Sequence, residues 1–298
     1  AMMELKYSEV LKLNKELGNN LKSSSYDITV LSNIIVHQSK EILEYLLRGE
    51  SINANVKFGD YDNIVQDSKK YQDSNAVIIF WELCNIIDGL QYKIELINND
   101  QIDEILENTK AEIDLVLKNL EKTSLVLINK FTSLSFSSLN IRKNKLEELA
   151  GQLNQYLENR IPANVKLVEL EKVIANTGID NTLDLRYYYS SKALYTVDFF
   201  REYSDYVKPY MMSANGKSKK ALIFDCDNTL WKGILGEDGF ENIEMSSRTK
   251  DGAVFAEIQA LALALNKQGV LIGLCSKNNP KDVDEVIESH PDIQLKNE

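Results

Sequence analysis

At 298 residues, with 44% hydrophobic and 27% charged side chains, the chain has the length for two cores and the composition of a folded, water-facing protein. Its formal net charge of -11 argues against nucleic acid or an anionic membrane as partner, since either needs a basic face, and no apolar run reaches membrane-spanning length. Three cysteines, Cys84, Cys226 and Cys275, form no metal-binding pair and no disulfide framework, so a reducing cytoplasm is the expected compartment; two histidines, His37 and His290, argue against a multi-histidine metal site.

Residues 8–22 place Val10, Leu13, Leu17 and Leu21 on one helical face, and a short strand at 27–31 follows, ending at Ser32 and Asn33. The alternation then repeats with a helix over 38–48, a strand over 52–57, a polar loop at 59–62 and an apolar strand over 76–81. A long helix over 100–122, with Ile102, Leu106, Ile113 and Leu117 among its apolar positions, feeds a strand at 124–129. A further helix, with Leu146, Leu149, Leu153 and Leu157 on one face, leads past Pro162 to a strand at 165–170. Helices alternating with strands predict a parallel sheet covered on both faces. An aromatic stretch at 185–189 and a helix through Phe199, Phe200 and Tyr206 close this unit. The short, polar, glycine-containing segment 211–220 reads as the boundary between a domain over 1–216 and another over 217–298.

The second unit begins with an apolar strand at 221–224 that runs into Asp225, Cys226, Asp227, Asn228 and Thr229. The carboxyl end of a strand is where open α/β sheets bind ligands, so two acids placed there are expected to be chemical. One can attack while the other serves the leaving group, with a divalent cation bridging them to an anionic substrate. Segment 231–244 reads as a small hairpin flap over this loop. A helix over 249–268, with Val254, Ile258, Leu261 and Leu265 as its apolar face, ends at Gly269. A strand over 270–274 ends at Cys275 and Ser276, and Asn279 with Pro280 opens a last helix.

An apolar strand followed by Asp225-x-Asp227-x-Thr229 resembles the first motif of the haloacid dehalogenase (HAD) superfamily of phosphotransferases. Its extension over 224–239, FDCDNTLWKGILGEDG, resembles the FkbH-like family more specifically. The resemblance implies an α/β fold of two doubly wound parallel-sheet domains: an SGNH-hydrolase-like or flavodoxin-like domain over 1–216, then the N-terminal part of a HAD-like domain over 217–298. It implies Asp225 as the nucleophile that takes a phosphoryl group, Asp227 as general acid and base, Thr229 and Ser276 as phosphate ligands, and Mg²⁺ held by Asp225 and Asp227. It also implies a phosphorylated small molecule such as 1,3-bisphosphoglycerate as substrate, with phosphate removal coupled to transfer of a glyceryl-type acyl group to an acyl carrier protein. Cys226, lodged between the acids, could carry the acyl group as a thioester; its other reading is a small packing residue. A noncatalytic carrier-docking module and a simple phosphatase of small metabolites are the alternative functions.

The lysine and later acidic pair that the superfamily sets after its second motif do not follow Ser276 in the proper context. The chain by itself is therefore expected to be inactive. In the first domain, Ser32 stands where an SGNH nucleophile sits. Gly-Asp-Ser is missing around it, and Asp184 is followed three residues on by Tyr187 where a catalytic histidine belongs, so no esterase is expected. His37 reads as a surface or cap residue.

Overall fold

Strands of four to seven residues, apolar mainly at their centres, build the sheet of the first unit: β1 (Tyr26–Ser32), β2 (Ala54–Phe58), β3 (Ala76–Phe80), β4 (Leu125–Asn129) and β5 (Val165–Val168). The structure, a computed structural model, describes residues 5–134 and 144–296 and divides into two units, Ala1–Lys217 and Ser218–Glu298. The five strands pair in parallel in the order β2-β1-β3-β4-β5. Every residue of β3 and β4 is buried, because helices cover both faces of the sheet. Successive side chains feed opposite cores. Ile78 and Phe80 pack with the helices Ser39–Gly49 and Val197–Ala214, whereas Val77 and Ile79 pack with Asn99–Asn119 and Lys145–Glu158. This is the doubly wound parallel sheet read from the sequence. None of the described helices is long and apolar enough to cross a membrane.

Four details of the first unit differ from the sequence reading. A helix over Ile64–Lys70 was not anticipated, because its sequence is mostly polar. It carries the buried Asp67, whose carboxylate accepts the Asp60 N–H at 2.6 Å and the Asn63 amide at 3.0 Å, fixing the loop after β2. The last strand stops at Val168, and Leu170 already opens a helix over Leu170–Thr177. The aromatic stretch forms a helix, Leu185–Ser191, and Asp184 is its cap, accepting the N–H groups of Arg186 and Tyr187 at 3.1 and 3.3 Å. The segment read as a linker begins inside the helix Val197–Ala214, whose apolar stripe extends to the fully buried Met211.

The second unit is built on two parallel strands, β6 (Ala221–Phe224) and β7 (Leu271–Leu274), with the helix Ala253–Lys267 between them in sequence and the helix Pro280–Ser289 after them. Gly269 ends the first of these helices at φ +91° and Asn279 caps the second, both as read from the sequence. The expected hairpin flap is different. Lys232 and Glu244 do pair in an isolated antiparallel bridge, but the tip between them is a helical turn, Leu235–Asp238. The helix Ala253–Lys267 turns inward a face rotated from the predicted one, of which only Ile258 packs against the core. It buries Ala256, Gln259 and Ala262 and leaves Val254 and Leu261 55% and 58% exposed, since it is apolar around most of its circumference and periodicity does not select a face.

Candidate active site

Parallel pairing sets Phe224 opposite Leu274, and the N–H of Cys275 donates to the Phe224 carbonyl at 2.8 Å. The residues that follow the two strands therefore leave the sheet side by side, Asp225 to Asp227 next to Cys275 to Lys277. Asp225 is exposed, and its Oδ1 accepts the N–H of Cys226 at 2.8 Å. Among the described residues its second oxygen has no partner.

Asp227 is half-buried and is the hub of the loop. Its Oδ1 accepts from the indole Nε1 of Trp231 at 3.1 Å, from the backbone N–H of Leu235 at 3.1 Å and from the side-chain amide of Asn278 at 2.9 Å. One oxygen thus ties together the acidic loop, the helical turn beyond it and the loop after β7. The turn is tightened by Asn228, left-handed at φ +53°, whose Oδ1 accepts the Gly233 N–H at 3.0 Å. Gly233 sits at φ +104°, where a Cβ would also lie 2.9 Å from Asp238 Oδ2, so only glycine fits. That Asp238 oxygen accepts the Ile234 N–H at 2.8 Å. Asn228, Gly233 and Asp238 of the extended motif are in this way explained by the turn they build.

Thr229 closes the same turn, its N–H donating to the Cys226 carbonyl at 3.1 Å, and its side chain is half-buried. Ser276 is half-buried across from it, with Oγ accepting the Asn278 N–H at 3.2 Å. Of the residues singled out in the sequence, Asp225, Asp227 and Ser276 come together at one end of the two-stranded sheet, and Thr229 lies in the same loop. Sequence reasoning missed Trp231 as a donor, Asn278, and Gln259. The Gln259 amide donates to the Leu230 carbonyl at 2.7 Å and its Oε1 accepts the Gln294 N–H at 2.8 Å. Gln259 alone left a legible signal, as a polar residue amid an apolar helical run.

Cys226 is wholly buried, packed with Leu230, Trp231, Leu235 and Met245. Burial pushes its thiol upward, the Asp225 and Asp227 charges push the same way, and the Ser276 hydroxyl opposes them. A sulfur without exposure and with a disfavoured thiolate suits the packing reading of Cys226 better than the thioester one. In native protein, iodoacetamide followed by peptide mass spectrometry is expected to label the exposed Cys275 and to spare the buried Cys84 and Cys226 until denaturant is added. Labelling of Cys226 as fast as Cys275 would favour the thioester reading instead.

In the first unit, Ser32 is buried and its Oγ accepts the Ile34 N–H at 3.1 Å. Asp184 is taken up by its helix cap, Tyr187 is exposed, and the exposed His37 sets its ring edge-on to Phe58, centroids 4.7 Å apart.

No family model matches the chain, and no curated protein matches it. Among solved structures it is similar to the N-terminal part of the protein BF1531 from Bacteroides fragilis, which contains a phosphatase domain and is complexed with Mg. That similarity has a TM-score of 0.79 at 21% identity and covers 98% of this chain and 79% of that one. An acetyl xylan esterase from Geobacillus stearothermophilus aligns over 65% of this chain and 95% of its own at 11% identity, but its TM-score of 0.42 carries no argument. What the first comparison shows is the fold.

Proposed function

We propose that the acidic loop after β6 is the reaction centre of a Mg²⁺-dependent phosphatase or phosphotransferase of the HAD type. The observation that carries the reading is the register of β6 and β7, which sets Asp225 and Asp227 on one loop beside Ser276 on the next. An oxygen of Asp225 attacks phosphorus, the bond from phosphorus to the leaving oxygen breaks, and Asp227 delivers its proton to that oxygen. Water then attacks the phosphorus of the aspartyl phosphate, Asp227 takes a proton back, and the bond to Asp225 opens to release inorganic phosphate. The hydroxyls of Thr229 and Ser276 hold the nonbridging oxygens. Because Oδ1 of Asp227 already receives three N–H groups, Oδ2 is the atom that moves the proton.

Asp225 and the main chain at Asp227 are the groups that would hold Mg²⁺. That ion commonly keeps several waters and takes one or two carboxylates plus substrate phosphate. The exposed Asp225 carboxylate, with one oxygen engaged, suits that mode. Among the described residues, no cluster of three or more His, Cys, Asp or Glu offers a fuller cage. When bound, the cation offsets the repulsion between the attacking carboxylate and the phosphate. The Mg in the similar Bacteroides protein supports this choice of ion.

At a finer level, the substrate is a phosphorylated small molecule such as 1,3-bisphosphoglycerate, and phosphate removal is coupled to passing a glyceryl-type acyl group to a carrier-protein thiol. The extended motif over 224–239 supports it. The buried Cys226 leaves the acyl group to pass without a thioester on this chain.

Beryllium fluoride, which with Mg²⁺ mimics an aspartyl phosphate, tests the core of this reading. Fluorine NMR is expected to show a Mg²⁺-dependent bound resonance that Asp225→Asn removes. The readout asks for adduct formation at Asp225 and for no turnover, so it can be read on a chain expected to be inactive by itself. No bound resonance with Mg²⁺, or one that survives the substitution, rules the reading out.

A further inference from the structure

The first unit has a cleft of its own at the carboxyl ends of its strands. A cavity of about 200 Å³ opens there between Ser32, His37, Phe58, Gly59 and Tyr61. Ile35 and His37 also wall a neighbouring cavity of about 310 Å³, lined further by Tyr187, Tyr195, Thr196 and Phe200. In the order β2-β1-β3-β4-β5 the winding reverses between β1 and β3, which is where open α/β sheets take ligands.

Buried polar side chains hold the walls in place. The Tyr195 hydroxyl donates to Glu82 Oε1 at 2.7 Å, and its ring stacks on Phe199 with centroids 3.8 Å apart. The backbone of Glu82 is clasped by the Asn33 side chain, which donates to its carbonyl and accepts its N–H, both at 2.8 Å. The Tyr61 hydroxyl accepts from the buried Asn85 amide at 3.0 Å, and Asp67 pins the Asp60 N–H. Collapse of Tyr195 into its cavity would take a donor from the buried Glu82 carboxyl, at about 1–3 kcal/mol, and the Asn85 amide beneath Tyr61 is held independently by the Asn33 carbonyl. The cleft is therefore preformed.

Its chemistry favours holding over cutting. Ser32 Oγ is engaged by the Ile34 N–H and Asp184 by a helix cap, so serine, acid and base are not assembled into a relay. Among the described residues neither cavity is lined by a lysine or arginine; Asp60 lies on one and Asp184 on the other, and His37 is the one lining side chain that can carry positive charge. A phosphate would meet repulsion here, whereas aromatic rings with hydroxyls between them suit a neutral molecule.

We propose that the His37 cleft of the first unit binds an uncharged small molecule bearing an amide or hydroxyl group and an aromatic or short aliphatic end, and binds it without hydrolysis. This site stands apart from the phosphoryl chemistry proposed for the second unit.

The test uses the full chain and saturation-transfer NMR with N-benzylacetamide as the neutral probe and hippurate as its anionic counterpart. N-benzylacetamide is expected to receive saturation at least about fivefold more strongly than hippurate, and Ala193→Trp, which fills the larger cavity from its wall, is expected to cut that signal about fivefold. His37→Ala, at an exposed position, is the second variant: it removes the shared wall and is expected to weaken binding as well. Equal signals from the two probes, no transfer to either, or transfer unchanged in both variants would overturn the proposal. Release of benzylamine on standing would overturn its non-hydrolytic part.

Discussion

Replacing Asp227 by alanine is expected to lower the stability of the second unit by about 4 kcal/mol, because buried donors that lose their acceptor cost about 1–3 kcal/mol each. The indole of Trp231 is fully buried and the N–H of Leu235 lies in a residue only 6% exposed, so neither is readily rescued by water. Asn278 is half-exposed and adds less. Asp227→Asn is the informative control. An amide retains an Oδ1 that accepts all three N–H groups, so its cost is expected to stay within about 1 kcal/mol, although the proton transfer proposed for Asp227 would be lost. The chain has two tryptophans, Trp81 in the first unit and Trp231 in the second, so 5-fluorotryptophan labelling gives one fluorine resonance per unit during a urea titration. The Trp231 midpoint should fall steeply in the alanine variant while that of Trp81 stays in place. Equal losses in the alanine and asparagine variants would mean that Oδ1 does not hold these segments together.

The contrast between these two substitutions also bears on what a sequence can reveal. The sheet of the first unit was legible because β3 is apolar throughout and β4 is apolar up to its last residue, Asn129, and that pattern leaves few alternatives to a strand covered on both faces. The acidic loop was legible because two carboxylates directly after such a strand are uncommon. Polar side chains that act from within were not. Asp67 lies in a short polar helix, and Glu44, on a helix whose extent was read correctly, is buried to accept the Val56 N–H at 2.9 Å and the Asn14 amide at 2.9 Å. Neither carries a local signal that separates it from a solvated acid. Asn278 is further out of reach, because its contact with Asp227 spans 51 residues and exists only once β6 and β7 are in register. The helix Ala253–Lys267 failed for the opposite reason, an excess of apolar residues that leaves its inward face undetermined.

Stability of the first unit is expected to fall by about 3 kcal/mol as pH rises from 4.5 to 7, through Glu82 alone. This carboxyl is buried just past the carboxyl end of the central strand β3, and burial pushes it up to about 7 from an ordinary 4.5, with the Tyr195 hydroxyl opposing the shift. Between those values the folded chain keeps the proton while the unfolded chain has released it. The unfolded state then binds fewer protons, and stability must decline with pH. Below 4.5 both states hold the proton, and above 7 both have lost it, so the decline is confined to that window. Other acids of the first unit titrate as well. Asp27, held down by the Asn55 amide, favours the folded state as pH rises through the acidic range, whereas Asp62, Glu112 and Asp205, raised by burial, act in the same sense as Glu82, so the total profile does not isolate Glu82. The difference between wild type and Glu82→Gln does. Glutamine keeps an oxygen for the Tyr195 hydroxyl and removes the titration, so the variant should match wild type near pH 4 and exceed it by about 3 kcal/mol near pH 8. Urea midpoints read from the Trp81 resonance across that range measure the difference. A constant offset at every pH would show that Glu82 titrates alike in the folded and unfolded chain, and that the aromatic wall above it does not depend on a protonated carboxyl.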